Sequence, residues 1–331
     1  MRRYFGRKLL TYSITFFVAA TIDWLIPRFM PGDPVASLVA RTNGISPEAA
    51  QALSDYYYNL FGLNQPLPAQ YLNFWGSLLH GNLGLSVYGH GTPVTDMIMR
   101  AVPYTLALLV PAILLSWWAG NSFGALAARR RWLDSTVLPL GYILTATPYM
   151  WLAIVLSFVL GYTLRWFPFS GGYGFNLEPS LTWLYFTDLV AHWVLPFLSL
   201  FLVGFGGWAI GMRNMIIYEL ESDYSRYLEV LGAPQSLVRK YAFRNAMLPQ
   251  ITGLALSLGV IVAGALVTEI VFSYPGVGSL VFEAIKSEDY FLLQGIFLFI
   301  IAGVLIANFL VDIAYVIVDP RTRVAMRGGT A

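Results

Sequence analysis

The sequence has no cysteine and little charge. The absence of cysteine excludes a disulfide framework, a thiolate metal site and a cysteine nucleophile. Only 11% of the 331 residues are charged and 57% are hydrophobic, whereas soluble domains are about 25% charged. The only histidines are His80, His90 and His192, which are far apart in the sequence and lack the spacing of metal ligands. The composition therefore predicts a membrane protein without a metal site.

Lysine is also scarce, and this scarcity excludes a nucleotide pocket of the common type. A phosphate-binding loop of the G-x-x-x-x-G-K-[ST] type needs a lysine that follows a glycine. The three lysines of this chain follow Arg7, Arg239 and Ile285. The G-x-S-x-G and H-E-x-x-H motifs of hydrolases are missing as well. We therefore expect that the chain is not an enzyme and that any ATP hydrolysis takes place in a separate polypeptide.

Six long apolar stretches are present, each with the roughly 20 residues that a helix needs to cross a hydrocarbon core of about 30 Å. They cover residues 9–29, 102–128, 135–164, 189–212, 247–272 and 291–318. This pattern predicts an all-α membrane protein with six transmembrane helices. We interpret the first stretch as a retained anchor, because no small-residue cleavage site follows it.

Lysine and arginine are distributed unevenly between the predicted loops. If the N-terminus is cytoplasmic, the inside segments hold 15 of the 20 basic residues. The outer positions hold the other five, which are Arg28, Arg41, Arg100, Arg165 and Lys286. This bias predicts a multi-pass protein of the cytoplasmic membrane with both termini in the cytoplasm.

The predicted spans divide the chain into four parts. A cytoplasmic start and first helix (1–29) precede a long extracytoplasmic segment (30–100). A five-helix core (101–318) includes a cytoplasmic loop at 213–246, and a cytoplasmic tail follows (319–331).

The extracytoplasmic segment contains two predicted short helices. Ser46, Pro47 and Glu48 form a helix start, with a capping residue, a proline at the first helical position and an early acid. A second helix has an apolar face formed by Tyr71, Phe74, Trp75 and Leu78. These aromatic residues fit a position at the membrane interface, a docking surface, or a lid packed on the outer helix ends.

The loop at 213–246 is too long to be only a connector. Ser222 or Asp223 can cap a short helix there, and Gly232 provides its C-terminal stop. One face of this helix would carry Tyr224, Tyr227, Leu228 and Leu231. Such a helix fits either a groove on another protein or the lipid surface.

Four charged residues lie within the spans or at their ends. Asp23, Glu269 and Asp312 are each a turn or two from a span end, and Arg213 is at the cytoplasmic end of the fourth span. A charge at the centre of a span costs roughly 2.5–3.5 kcal/mol. Each of these residues therefore either forms a structural hydrogen bond or ion pair or lines a substrate path. Glu269 is the strongest candidate for the substrate path.

Small residues recur at helical spacing in the fourth span. Gly204, Gly207 and Gly211 share one face, which lets another helix approach closely. This pattern fits tight internal packing, a subunit interface or a moving seam.

Eight sequence blocks resemble, in order and spacing, the permeases of the dipeptide/oligopeptide/nickel branch of ABC importers. The two central blocks are DYSRYLEVLG (223–232) and FRNAMLP (243–249). The others are PGDP (31–34), HGNLGLS (80–86), PYTLAL (103–108), TEIVFSYPGVG (268–278), DYFLLQG (289–295) and VDPRTR (318–323). Together they extend over nearly the whole chain.

The resemblance implies the type I permease fold of ABC importers and a set of partners. These are a paralogous permease subunit, two ABC ATPase subunits that use ATP and Mg, an extracytoplasmic substrate-binding protein and the lipid bilayer, without nucleic acid and without a cofactor bound by this chain. The implied substrates are short peptides, with oligosaccharides or nickel complexes as alternatives. A gradient-driven transporter or channel is an alternative of another class, but we detect no inverted repeat.

The resemblance also assigns a role to the short cytoplasmic helix. In the related permeases it is the coupling helix, which docks in a cleft of the ATPase subunit. The residues that match are Asp223, Tyr224, Arg226, Tyr227, Leu228, Leu231 and Gly232. The segment LEVLG (228–232) departs from the common family pattern, so we interpret its contacts as specialised for particular ATPase partners.

Overall fold

The described part of the protein is helical. The computed structural model describes residues 2–29, 35–36, 39, 46–60, 63–89, 91–259 and 266–318. The PGDP block, His90, Arg41 and all but the first residue of the VDPRTR block lie outside these residues. One isolated antiparallel bridge joins Leu85 and Pro93.

The principal helices are numbered here in chain order. They are α1 (Arg2–Phe29), α2 (Pro47–Leu60), α3 (Leu67–Leu79), α4 (Val94–Ala127), α5 (Arg131–Ala146), α6 (Tyr149–Leu156, continued by a π-helical segment Ser157–Thr163), α7 (Trp183–Leu220), α8 (Asp223–Val230), α9 (Gln235–Gly259), α10 (Leu266–Val271), α11 (Val277–Lys286) and α12 (Tyr290–Val318). The two short helices predicted after the first span are confirmed as α2 and α3. Ser46 caps α2, because its Oγ accepts a hydrogen bond from the Ala49 N–H at 3.2 Å.

The chain divides into two compact units. Within the described residues, the first unit combines the chain up to Pro103 with Gly276–Phe309. The second unit combines Tyr104–Pro275 with the residues from Leu310 onward. The first unit therefore contains α1, α2, α3 and α11, and the second contains α5 to α10.

Four helices of the described chain are long and apolar enough to cross a membrane. They contain the segments Gly6–Ile26, Val94–Ala127, Trp183–Leu220 and Tyr290–Leu310. A fifth span results if the bent pair formed by Arg131–Ala146 and Tyr149–Thr163 is counted as one. The predicted span at 247–272 includes residues 260–265, which lie outside the described chain.

The third predicted span differs from an unbroken helix. Its two halves meet at an angle of 101°. The break lies at Thr147 and Pro148, where Thr147 has an extended backbone (φ −80°, ψ 123°). Proline has no N–H to donate and disfavours helical geometry in the residue before it, so the helix ends at Ala146 and starts again at Tyr149.

The loop predicted at 213–246 is almost entirely helical. The fourth span continues as α7 to Leu220, eight residues beyond its predicted end, and α9 begins at Gln235. Only four residues separate α8 from α9, and two separate it from α7. The short helix is therefore joined directly to two long helices.

In the second unit, α7 packs closely on its neighbours through glycines. A Cβ at Gly124 would overlap the backbone of Ala209, and one at Gly206 would lie 2.7 Å from the Gly141 carbonyl oxygen. Of the predicted glycine face, Gly204 lies against Ser116 and Gly211 against Gln250. Internal packing therefore accounts for both of these glycines.

Candidate functional site

The predicted short helix at residue 223 is confirmed as α8, Asp223–Val230. Ser222 is its N-cap residue, but the Ser222 hydroxyl makes no capping bond. It donates instead to the Glu219 carbonyl oxygen at 2.6 Å. The helix start is therefore tied to the end of α7.

Gly232 ends α8, as predicted. It has a positive φ of 77°, a conformation that costs glycine least. The Ala233 N–H donates to the Leu228 carbonyl at 3.0 Å and the Gly232 N–H donates to the Glu229 carbonyl at 2.9 Å. These two bonds form a Schellman motif, which fixes the direction of the chain after the helix.

Glu219 joins α7, α8 and α9. Its Oε2 accepts hydrogen bonds from the Tyr224 hydroxyl at 2.8 Å and from the Asn245 side-chain amide at 3.2 Å. Its backbone carbonyl also accepts a bond from the buried Ser225 hydroxyl at 2.7 Å. We call these contacts the Glu219 junction. A displacement of α8 would be transmitted through this junction to both long helices.

The exposed side of α8 and its end carry apolar residues among charged ones. Tyr227 is 65% exposed, Val230 85% and Leu231 63%. Arg226 is exposed beside them. The apolar face predicted from sequence is therefore not a single surface. Tyr224 and Leu228 are half-buried, whereas Tyr227 and Leu231 point outward. We call Tyr227, Val230 and Leu231 the α8 surface.

A small apolar core joins α4, α7 and α9. Ala125 of α4, Met212 and Ile216 of α7, and Ala246 of α9 are buried together. Leu220 and Phe243 pack against them. This core holds together α7 and α9, the two long helices to which α8 is joined.

Arg213, predicted as a path residue, forms an ion pair in the second unit. Its Nε lies 2.8 Å from Asp134 Oδ1 and its Nη2 lies 2.8 Å from Asp134 Oδ2. This arrangement, with two parallel bonds, is the strongest form of arginine–carboxylate pairing. It joins α7 to the first turn of α5. Nothing in the local sequence pattern indicates Asp134 as the partner of Arg213, because the two residues are 79 positions apart.

The Arg213–Asp134 pair should be a measurable source of stability. We expect Arg213→Ala to lower the stability by about 1 kcal/mol, because the pair loses two charged hydrogen bonds but both side chains are partly exposed. Arg213→Lys should recover only part of this loss, since lysine cannot bind both oxygens in the same geometry. Thermal unfolding in detergent measures the effect, with the exposed Arg129→Ala as a control. If Arg213→Ala and Asp134→Ala lower the stability additively in the double variant, the pair is not coupled.

Glu269, the strongest predicted path residue, is fully buried in the second unit. Its Oε1 accepts a hydrogen bond from the Thr105 hydroxyl at 2.7 Å. Its backbone carbonyl accepts the Tyr274 N–H at 2.8 Å. In this conformation the carboxylate is shielded from solvent, so its role in a substrate path stays a prediction.

The turn that follows Glu269 packs against the loop at residues 171–172 of the same unit. The Gly171 N–H donates to the Phe272 carbonyl at 2.7 Å, and the Tyr104 and Tyr274 rings meet edge to face at 5.8 Å. A Cβ at Gly172 would lie 2.7 Å from the Pro275 ring. Burial raises the pKa of the Tyr274 phenol, and the nearby Tyr104 and Glu269 raise it further. Tyr274 is therefore a neutral, fixed part of this turn.

The other two predicted path residues lie apart from these contacts. Asp23, on α1, is buried, and its Oδ2 has no hydrogen-bond partner within the described chain. Asp312, on α12, is half-buried. Among the described residues, no group of three or more His, Asp or Glu side chains could hold a metal ion.

An open cleft of about 520 Å³ lies at the bend between α5 and α6. The hydroxyl side chains of Thr145, Thr147 and Tyr149 line it, together with Gly207 and Trp208 of α7. Gly207 thus differs from Gly204 and Gly211, since it borders open space. The cleft offers hydroxyl groups for hydrogen bonding and the aromatic surface of Trp208.

Comparison with known proteins points to one class of transport protein. Residues 120–324 match the family described as "Binding-protein-dependent transport system inner membrane component". The chain is 31% identical to the oligopeptide transport system permease protein AppB of Bacillus subtilis (strain 168), over 97% of this chain and 99% of that protein. It is also 31% identical to the dipeptide transport system permease protein DppB of Escherichia coli (strain K12), over 98% and 99%. It is 30% identical to the di/tripeptide transport system permease protein DppB of Pseudomonas aeruginosa (strain UCBPP-PA14), over 98% and 99%.

Proposed function

This chain belongs to the family of inner-membrane components of binding-protein-dependent transport systems, and we propose that it is the permease subunit of an ATP-driven importer of short peptides. The observation that carries the proposal is the α8 surface. Three exposed apolar residues lie on a short helix that is fixed to α7 and α9 through the Glu219 junction. An apolar helix face of this kind fits a groove on a partner protein.

The mechanism follows from the way in which α8 is supported. An ATPase subunit that closes on ATP would move α8, and the Glu219 junction would transfer the movement to α7 and α9. The residues proposed to dock or to shape this helix are Asp223, Tyr224, Arg226, Tyr227, Leu228, Leu231 and Gly232. Tyr224 serves the junction and Gly232 the helix end, whereas Tyr227 and Leu231 contact the ATPase. No covalent chemistry takes place in this chain.

We propose six transmembrane helices with both termini in the cytoplasm. Five candidate spans support this proposal if the bent α5–α6 pair is one of them. The excess of lysine and arginine in four segments, which hold 15 of the 20, supports the orientation. The segment at 30–100 would then be extracytoplasmic. In that location it is available to a substrate-binding protein.

The proposed partners follow from the family. They are a paralogous permease subunit, which completes the pore as a heterodimer, two ABC ATPase subunits that use ATP and Mg, and an extracytoplasmic substrate-binding protein.

The cleft at the α5–α6 bend supports a pore contribution, since its threonine and tyrosine hydroxyls can bind a polar substrate. Four charged residues are proposed to border the path: Asp23, Arg213, Glu269 and Asp312.

Short peptides are the proposed substrates because the similar permeases from three bacteria carry peptide transport in their names. The complete importer in proteoliposomes, supplied with its binding protein, should accumulate a labelled di- or tripeptide when ATP is enclosed with the ATPase subunits. Uptake should persist when ionophores collapse the ion gradients. Peptide uptake that needs an ion gradient and no ATP would instead support a secondary transporter. Uptake of xylo-oligosaccharides or a nickel complex, but not of peptides, would reassign the substrate.

A further inference from the structure

A cavity of about 380 Å³ in the first unit is separate from every site described above. It lies between the end of α1, the helix α3, the segment after α3 and the start of α12. Its principal polar lining residues are Trp24, Arg28, Gln70, Asn73, Asn82 and Gln294. Among the described residues that line it, Arg28 is charged and none is a carboxylate.

Arg28 provides a cation without an acidic partner among the described residues. Its guanidinium lies 3.8 Å from the centroid of the Trp24 ring, and its Nη1 donates to the Trp24 carbonyl at 2.6 Å. The other two contacts, from Nε and Nη2, are both 3.4 Å from a single oxygen, Oε1 of Gln70. Because a guanidinium has five N–H groups, at least two remain for another acceptor. Every partner within the described chain is neutral.

Further hydrogen-bond donors of the cavity have no acceptor in the described chain. Trp24 is only 5% exposed, and its indole N–H makes no hydrogen bond there. A buried donor without a partner costs free energy, so such groups are uncommon in folded proteins. Gln294 is half-buried, and none of the hydrogen bonds within the described chain involves its amide. The cavity thus combines the Arg28 guanidinium with the Gln294 amide, and these N–H groups are the chemistry that recognises the oxygens of a phosphate.

The position of the cavity indicates where that phosphate comes from. The apolar span of α1 ends at Ile26, so Trp24 and Arg28 lie at the depth where lipid headgroups begin. Beside them, α3 contains no charged residue and stacks Trp75 on Phe17 of α1 at 5.1 Å. Its Leu72 and Leu79 are exposed, as expected for a helix in contact with lipid.

We propose that this cavity binds the phosphate of a membrane phospholipid, with Arg28 as its cationic contact. Gln294 donates a further hydrogen bond to the phosphate oxygens. The apolar side chains of α3 and α12 that border the cavity contact the glycerol and the first acyl carbons. The site requires neither the α8 surface nor a substrate, so it stands independently of the proposed transport function.

Native mass spectrometry of the full chain, released from detergent, tests the proposal with three probes. Phosphatidylglycerol should give a defined one-lipid adduct. Diacylglycerol with the same acyl chains, which lacks the phosphate, should bind at least about tenfold more weakly, since a loss of 1.4 kcal/mol is tenfold. Inorganic phosphate at the same concentration should not displace the lipid. Equal binding of diacylglycerol, or displacement by inorganic phosphate, would overturn the lipid assignment.

Variants test whether the lipid adduct forms at this cavity. Arg28→Gln should weaken phosphatidylglycerol binding about tenfold, and Arg28→Lys should recover part of it because the charge is kept. The matched control is Arg100→Gln, which removes an exposed arginine of the same unit and should leave the adduct unchanged. Should Arg28→Gln fail to fold, Gln294→Leu gives a second test, with an expected loss of about threefold for one lost hydrogen bond. Unchanged binding in Arg28→Gln or, where that variant does not fold, in Gln294→Leu would contradict the proposal.

Discussion

Replacing Tyr227 and Leu231 together with aspartate is expected to abolish ATP-driven uptake while the permease remains folded in the membrane. Both side chains are more than 60% exposed, so neither contributes much to the core of this chain. Exposed substitutions usually change the free energy of unfolding by less than about 0.5 kcal/mol. Loss of transport would therefore reflect a lost contact with a partner and not a misfolded subunit.

The expected effect is large because a docked tyrosine and leucine act as anchors of an interface. Central anchors of this kind contribute about 2 kcal/mol or more each, so losing both weakens the complex by about a thousandfold. A buried aspartate without a partner adds a further penalty. The ATPase subunits should consequently fail to copurify with the double variant. Peptide uptake in proteoliposomes should fall to background.

Tyr56→Asp provides the matched control for this experiment. Tyr56 is 59% exposed on α2, in the segment proposed to be extracytoplasmic, so the same substitution should leave ATPase copurification intact. If the Tyr227/Leu231 variant still copurifies with the ATPase subunits and transports peptide, the α8 surface is not the docking site. In that case the coupling assignment of α8 has to be withdrawn.

The sequence predicted the position of α8 but not which of its apolar residues are exposed. The i, i+3, i+4, i+7 spacing groups Tyr224 and Leu228 with Tyr227 and Leu231 because it treats the helix as isolated. In the structure, Glu219 binds the Tyr224 hydroxyl and turns that residue toward α7 and α9. No local pattern shows this, since Glu219 lies before the helix and Asn245 lies 26 residues after Glu219. A test based on Tyr224 and Leu228 would therefore disturb the junction rather than the docking face.

The apolar stretches were predicted more reliably than their ends. Hydrophobicity located α4, α7 and α12, but α7 extends eight residues beyond its predicted end at Met212. Hydropathy detects the lipid-facing part of a helix and not the whole helix. The helix continues as long as its backbone hydrogen bonds continue. The bend at Pro148 shows the opposite case, because a proline within an apolar run divides one predicted span into two helices.

Asp289 makes contacts in the first unit that the sequence does not predict. It belongs to the family-like block at 289–295, but nothing in that block indicates its partners. The structure places it at the N-cap of α12, where its Oδ1 accepts the Leu292 N–H at 2.9 Å. Its Oδ2 accepts three more bonds from the segment near residue 86, which is more than 200 residues away in sequence. Such a long-range contact leaves no periodic signal.

Asp289→Ala is expected to lower the free energy of unfolding by about 4 kcal/mol. The side chain is fully buried, and Oδ2 lies 2.7 Å from the Ser86 hydroxyl, 2.7 Å from the Val87 nitrogen and 2.9 Å from the Tyr88 nitrogen. Hydrogen bonds to a charged group contribute about 1.5–3 kcal/mol each, and alanine would leave four donors without an acceptor. The substitution also removes the N-cap of α12, which costs about 1 kcal/mol. Because these losses share one carboxylate, they do not add in full.

Asp289→Asn is the second variant of this test. It distinguishes the capping bond to Leu292 from the bonds to the loop near Ser86. Its amide oxygen can accept hydrogen bonds from either the loop donors or the Leu292 N–H. The amide nitrogen then faces the remaining donors and cannot accept from them. We therefore expect about half of the loss of unfolding free energy seen with alanine. Unfolding followed by the fluorescence of the ten tryptophans measures both variants in detergent. The matched control is Asp96→Ala, an exposed acid in the first turn of α4, for which the change should stay below about 1 kcal/mol. A loss in Asp289→Ala no larger than in Asp96→Ala would show that the loop near Ser86 and the start of α12 are held together by other contacts.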